Sequence, residues 1–214
     1  MGELWQFKCS PLEHARRYRV AKAAGHQTLF KTSEMEVVLA TKAVRAKKRS
    51  SNSSQSNDQA LREQLTTLLK GGGAHVSFAD AVAGFPEGKR GTFATGLPHT
   101  GWELIEHLRI AQWDILEYSR NPKHVSPEFP EGYWPRVPAP GNSAAWDKTV
   151  EAFERNTKEM IELINDSRKD LFAKLSPTNE QTLLREALVL ADHNSYHVAQ
   201  IVDLRRALGS WTEG

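Results

Sequence analysis

Between residues 122 and 141 the sequence places Pro122, Pro127, Pro130, Pro135, Pro138 and Pro140. Each proline fixes its own φ and removes a backbone donor, so neither a helix nor an internal strand can run through this stretch. Regular structure is confined to either side of it, and the residues there carry helical periodicity. Phe129, Tyr133 and Trp134 lie among the prolines, which marks a crossover packed onto a core rather than a loose linker.

Four long amphipathic patterns bracket the crossover. The first follows the polar run SSNSSQSN at 50–57, a flexible linker by composition. It opens on the capping box Ser56-Asn57-Asp58-Gln59, turns Leu61, Leu65, Leu68 and Leu69 inward, and breaks at Gly71-Gly72-Gly73. A short helical piece capped by Ser77 then buries Phe78, Val82 and Phe85, before a turn at Pro86-Glu87-Gly88. The second long helix starts at the capping box Thr100-Gly101-Trp102-Glu103, carries Leu104, Leu108, Ala111, Ile115 and Tyr118 on one stripe, and stops at Asn121-Pro122. The third begins near Ser143 and buries Trp146, Val150, Phe153, Met160, Ile164 and Leu171. The fourth opens at Ser176-Pro177, a cap followed by proline at the first helical position. It runs through Leu183, Ala187, Leu190, His197, Ile201, Leu204 and Leu208 to Gly209. The spacing predicts an all-α four-helix bundle with a Pro-rich crossover between the second and third long helices.

The division is into a basic extension and linker, 1–55, and the bundle, 56–214. Residues 1–50 hold 11 Lys and Arg against 4 Asp and Glu, although the whole chain carries only +2. Two weak helical patterns, at 11–24 and 34–46, have no convincing apolar stripe, so the extension is expected to be poorly ordered. A basic arm can serve nucleic acid, but an unrelated leader or a misplaced translation start is the simpler reading, and the acidic remainder argues against a nucleic-acid partner. No apolar run approaches the roughly 18 residues of a membrane span, and no secretory signal is recognisable. The single cysteine, Cys9, excludes an internal disulfide framework, so the expected location is the reducing cytoplasm. Any metal must lean on imidazole and carboxylate.

The chain has eight histidines. His193 and His197 stand one helical turn apart with both imidazoles on one face. At 100° per residue from Leu183, His197 lies about 40° and His193 about 80° to the same side of the apolar stripe. His107 lies about 60° off the stripe of the second long helix. A single histidine at such a rim ordinarily packs apolar surface and keeps one nitrogen wet. Three of them on two capped helices of one small bundle point instead to a shared ion, because clustered imidazoles repel one another when protonated. Three imidazoles with open positions suit Zn²⁺, Ni²⁺ or Fe²⁺, without distinguishing among them, and leave room for water or substrate.

Asn194 falls within the apolar stripe, where its amide demands a partner, and Tyr196 and Gln200 flank the ligand face. One of these three is expected to touch substrate or a ligand imidazole. Glu106 and Asp192 each adjoin a ligand in sequence and so point about 100° away from it, toward solvent or an outer acceptor role. His99 is either solvated or at the mouth of the site; His75 and His124 fall in loops, and His14 and His26 in the extension. The Tyr133-Trp134 pair is either an anchor of the crossover or a lid over the metal cavity.

The segments Trp102-Glu103-Leu104-Ile105-Glu106-His107-Leu108 and Asp192-His193-Asn194-Ser195-Tyr196-His197-Val198-Ala199-Gln200-Ile201, with the tail Leu204-Arg205-Arg206-Ala207-Leu208-Gly209, resemble the DinB-like family of metal-binding four-helix bundles. The resemblance covers about Ser56 to Trp211. The family's metal pattern, one histidine on the second helix and HxxxH on the fourth, falls on His107, His193 and His197. Members are often dimers, so the resemblance implies a homodimer. Those with known activity include S-transferases that use bacillithiol or mycothiol and a thiol-dependent isomerase, while many have no assigned reaction. The resemblance thus implies a metal-dependent transferase acting with a low-molecular-weight thiol on a small electrophile. A metal-dependent hydrolase and a non-catalytic metal-binding stress-response protein are the alternatives. With no cysteine in the bundle, an enzyme of this kind must take its nucleophile from substrate or solvent.

Overall fold

The computed structural model describes residues 55–176 and 180–212. The basic extension with its two helical patterns, Cys9, His14, His26 and residues 50–54 of the linker lie outside the described residues.

Helix α1 covers 55–70, so Ser56 sits inside the helix instead of capping it. Gln59 accordingly donates forward to Glu63 at 3.0 Å rather than closing a capping box. Serine and asparagine cost a helix only about 0.5 kcal/mol each, a small penalty beside a continuing ladder. Leu65 and Leu69 are buried, whereas Leu68 faces outward at 48% exposure. Gly71 and Gly72 end the helix at φ of 68° and 78°, where a side chain would be strained. Helix α2, Phe78–Val82, is capped by Ser77 as expected, and Phe78 stacks on Phe153 with ring centroids 3.8 Å apart.

Helices α3 (Gly101–Arg120), α4 (Ser143–Asn165) and α5 (Leu183–Ala207) complete the bundle. Among the described residues there is no named strand, only an isolated antiparallel bridge between Lys174 and Thr182. That bridge explains where the fourth long helix starts. Leu175 N–H donates to Gln181 O at 2.8 Å and Leu184 N–H to Leu171 O at 3.0 Å, so the segment before α5 pairs with itself. Thr182, not Ser176, is the cap, accepting from Arg185 N–H at 3.2 Å; Pro177 lies outside the described residues. Leu171 is fully buried as expected, but from this segment, because α4 ends at Asn165. There the buried Arg62 of α1 donates to the carbonyls of Ile164, Asp166 and Lys169. Gly209, at φ 61°, closes α5 as the sequence requires.

The core divides into two apolar clusters stacked along the bundle. One gathers α2, the first halves of α3 and α4, and the last part of α5, around Leu104, Leu108, Phe153 and Ile201. The other gathers α1, the later halves of α3 and α4, and the first part of α5, around Leu116, Met160, Ile164 and Leu190. Thus α3 and α4 run the same way, which the long crossover between them permits, and α5 runs against both. A buried amide layer separates the clusters: Asn194 Nδ2 donates to Gln112 Oε1 at 2.8 Å, and Gln112 Nε2 donates to Phe153 O at 2.6 Å and Thr157 Oγ1 at 2.7 Å. Among the described residues no helix is long and apolar enough to cross a membrane.

Candidate metal centre

The start of α3 is fixed from three sides. Thr100 and Glu103 form the reciprocal capping box, and Thr100 Oγ1 also donates to Pro138 O at 2.6 Å, tying the end of the crossover to the helix. Gly101 is required by close packing, since a Cβ there would stand 2.7 Å from the Phe85 ring. Two turns on, α3 presents His107, buried to 7% exposure. The i, i+4 spacing on α5 presents His193 and His197 to the same point.

One nitrogen from each ring lies within 4.8 Å of the other two. His193 Nε2 and His107 Nε2 are 3.0 Å apart. Ligands about 2.0–2.1 Å from one tetrahedral ion stand about 3.3 Å from each other, so the closest pair already has the spacing of a metal site. The outer nitrogens set the tautomers. His107 Nδ1–H donates to Tyr133 O at 2.9 Å, and His197 Nδ1–H donates to Gln200 Oε1 at 2.7 Å. Both rings therefore turn an Nε2 lone pair inward, the arrangement that orients metal-ligating imidazoles. Buried His193 Nδ1 has no well-formed hydrogen bond, and the Asn194 side chain is its polar neighbour. Two inward lone pairs that meet the nitrogen of a third imidazole make a donor set that fits a cation at the centre.

The electrostatics agree. Burial and the two neighbouring imidazoles hold His193 down at about 3. Burial, then the His107 ring, holds His197 at about 4. Burial also lowers His107, against the opposing pull of the Tyr133 carbonyl. All three are thus neutral near pH 7, the form in which imidazole binds a metal.

The crossover supplies one wall. Trp134 lies flat on His107, with ring centroids 4.0 Å apart and planes within 3°, and His99 stacks on the same indole at 4.1 Å. The Tyr133-Trp134 pair is therefore packed against the cluster itself, and His99 belongs to its surroundings rather than to a solvated loop. Of Asn194, Tyr196 and Gln200, one of which is expected to touch substrate or a ligand imidazole, Gln200 holds His197 by hydrogen bond. Tyr196, 63% exposed, meets His197 edge-on at 5.0 Å, and Asn194 gives its Nδ2 to the amide layer while its side chain stands beside His193. Glu106 turns to Arg109 and Thr149, and Asp192 is exposed. His75, on the surface, reaches Ser195 Oγ at 3.0 Å. His124 is not a free loop residue: its side chain is 7% exposed and its Nε2 lies 2.7 Å from Asp114. A cavity of about 470 Å³ lined by Phe85, Arg90, Trp146 and Glu151 shares no residue with the cluster and holds no comparable donor set.

No curated protein and no solved structure matches the chain. The family model of the DinB superfamily matches residues 56–201, a span that includes the amide layer and all three histidines. With well over half of its length inside that match, and with an all-α bundle that brings the three imidazoles together, the chain belongs to the DinB superfamily.

Proposed function

We propose that the protein is a metal-dependent transferase that joins a low-molecular-weight thiol to a small electrophile at the His107–His193–His197 centre. The observation that carries this reading is the donor set: three neutral imidazoles converge with neither a cysteine nor a carboxylate among them. Three protein ligands leave positions open, and a cluster of imidazoles alone among the described residues favours a nucleophile brought by an incoming molecule. A bound divalent ion, Zn²⁺, Ni²⁺ or Fe²⁺, supplies Lewis acidity that makes a thiol acidic enough to react near neutral pH. The protein's own residues hold the geometry. The Tyr133 carbonyl and Gln200 Oε1 keep the imidazole lone pairs directed inward, Trp134 shields one side of His107, and Tyr196 stands exposed beside His197 to contact substrate. In the transfer, the thiol sulfur forms the new bond to carbon, the leaving group departs with the electron pair, and the thiol proton passes to solvent. The reading includes a homodimer.

The test incubates metal-loaded protein with bacillithiol, mycothiol or glutathione and a reactive alkyl halide, following loss of electrophile. Thiol-dependent turnover well above the metal-free control supports the transferase. Turnover without thiol makes the protein a hydrolase, and none with any thiol makes the centre non-catalytic.

A further inference from the structure

Asp114 lies two turns beyond His107 on α3, buried to 7% exposure, with no ligand nitrogen in contact with it. Its two carboxylate oxygens face the crossover. Oδ1 accepts from His124 Nε2 at 2.7 Å, and Oδ2 accepts from the Tyr133 hydroxyl at 2.6 Å. One buried carboxylate therefore fastens the crossover to α3 at two points nine residues apart. Charge-assisted bonds of this length are about twice as strong as neutral ones, and leaving such a carboxylate unpaired in the core is costly. The second anchor point bears on the histidine cluster. The residue held by its hydroxyl, Tyr133, gives its main-chain oxygen to His107 Nδ1–H at 2.9 Å, and the next residue, Trp134, lies flat on the His107 ring.

We propose that Asp114 is a positioning residue of the metal centre, acting through Tyr133 to fix the tautomer and orientation of His107. The Tyr133 carbonyl ends the single 3₁₀ turn Glu131–Tyr133, which has no side-chain cap and is too short to fix its own place against α3. Here the placement comes from the carboxylate two turns along the same helix. The chain of contact runs from Asp114 to the Tyr133 hydroxyl, from the Tyr133 carbonyl to His107 Nδ1, and across the ring to Nε2. His124 holds the other end of the ten-residue span, so that Tyr133 cannot swing away with the crossover. This inference rests on the metal-site reading and adds to it a residue that touches no ligand atom.

The test titrates Co²⁺ into the full chain and reads both affinity, by competition with a chelator, and the visible absorption of the bound ion. Wild type, Asp114→Asn and Tyr133→Phe are compared, alongside the helical circular dichroism and melting temperature of each metal-free protein. The expected result is Co²⁺ binding weakened about 10–100-fold in Asp114→Asn, with an altered spectrum at full helicity. Tyr133→Phe should show the same kind of change, and the double variant should be no weaker than the worse single one, because both act through one contact. Loss of melting temperature without change in affinity or spectrum would make Asp114 a purely structural residue and overturn the proposal. Should Asp114→Asn fail to fold, Tyr133→Phe decides, since it keeps the ring and the main-chain carbonyl: wild-type affinity and spectrum there overturn the proposal equally. Wild type that binds no Co²⁺ would instead overturn the metal-site reading, a separate and recognisable failure.

Discussion

The three imidazoles depend on what stands behind them. Gln200 accepts from His197 Nδ1–H, so Gln200→Ala frees that ring to change tautomer and turn. Metal affinity should fall about 10–100-fold, with Gln200→Glu keeping most of it, as read by chelator competition. The depressed pKa values have a further consequence for the metal-free protein. An unfolded histidine titrates near 6.5, whereas His193 and His197 in the fold stay neutral down to about 3 and 4. Below about pH 6.5 the unfolded chain takes up protons that the fold refuses, so the unfolded state is favoured as pH falls. Stability should therefore be intact above that value and decline through pH 6 and 5. The contribution of these two rings is lost in full once pH has passed through about 4 and then 3. Urea unfolding at a series of pH values, in wild type and His193→Ala, measures this, and a flatter profile in the variant is the expected outcome.

At the level of the elements, the helices and their caps carry the arrangement. Thr182→Ala should cost about 1 kcal/mol in denaturant unfolding by removing the α5 cap, while leaving metal binding unchanged because His193 lies three turns further on. The periodicity of α3 and α5, the Thr100–Glu103 box and the His193–His197 spacing were all legible in the sequence, since each is a local signal repeated every turn. Gln200 beside His197 was legible from the same helix face, whereas the Tyr133 carbonyl and the Asp114–His124 contact were not. Tyr133 contributes its main-chain carbonyl, which any residue type could offer. Asp114 and His124 meet across a loop whose path no periodicity encodes. The start of α5 was obscured for a related reason: Ser176-Pro177 has the local form of a cap, but Leu175 pairs with Gln181 and the cap of α5 is Thr182. Gln59 likewise has the spacing of a capping box, yet the ladder of α1 includes residues 55–57 and leaves no helix end there to cap.

For the whole molecule, the amide layer and the two apolar clusters make the histidine centre part of the bundle's interior. The three imidazoles come from α3 and α5, and the wall from the crossover that joins α3 to α4. An ion that bound there to the folded state alone would stabilise the bundle as a unit, by about 2.7 kcal/mol at a free concentration 100 times the dissociation constant. Zn²⁺ should raise the melting temperature of wild type and leave that of His193→Ala unmoved, as followed by circular dichroism. The most direct measurement is the metal content of the two full-length proteins after loading with Zn²⁺ or Ni²⁺ and desalting, by elemental mass spectrometry. A centre built from His107, His193 and His197 requires about one ion per wild-type chain and close to none in His193→Ala. Wild type that retains no metal, or a variant that retains as much as wild type, would contradict it.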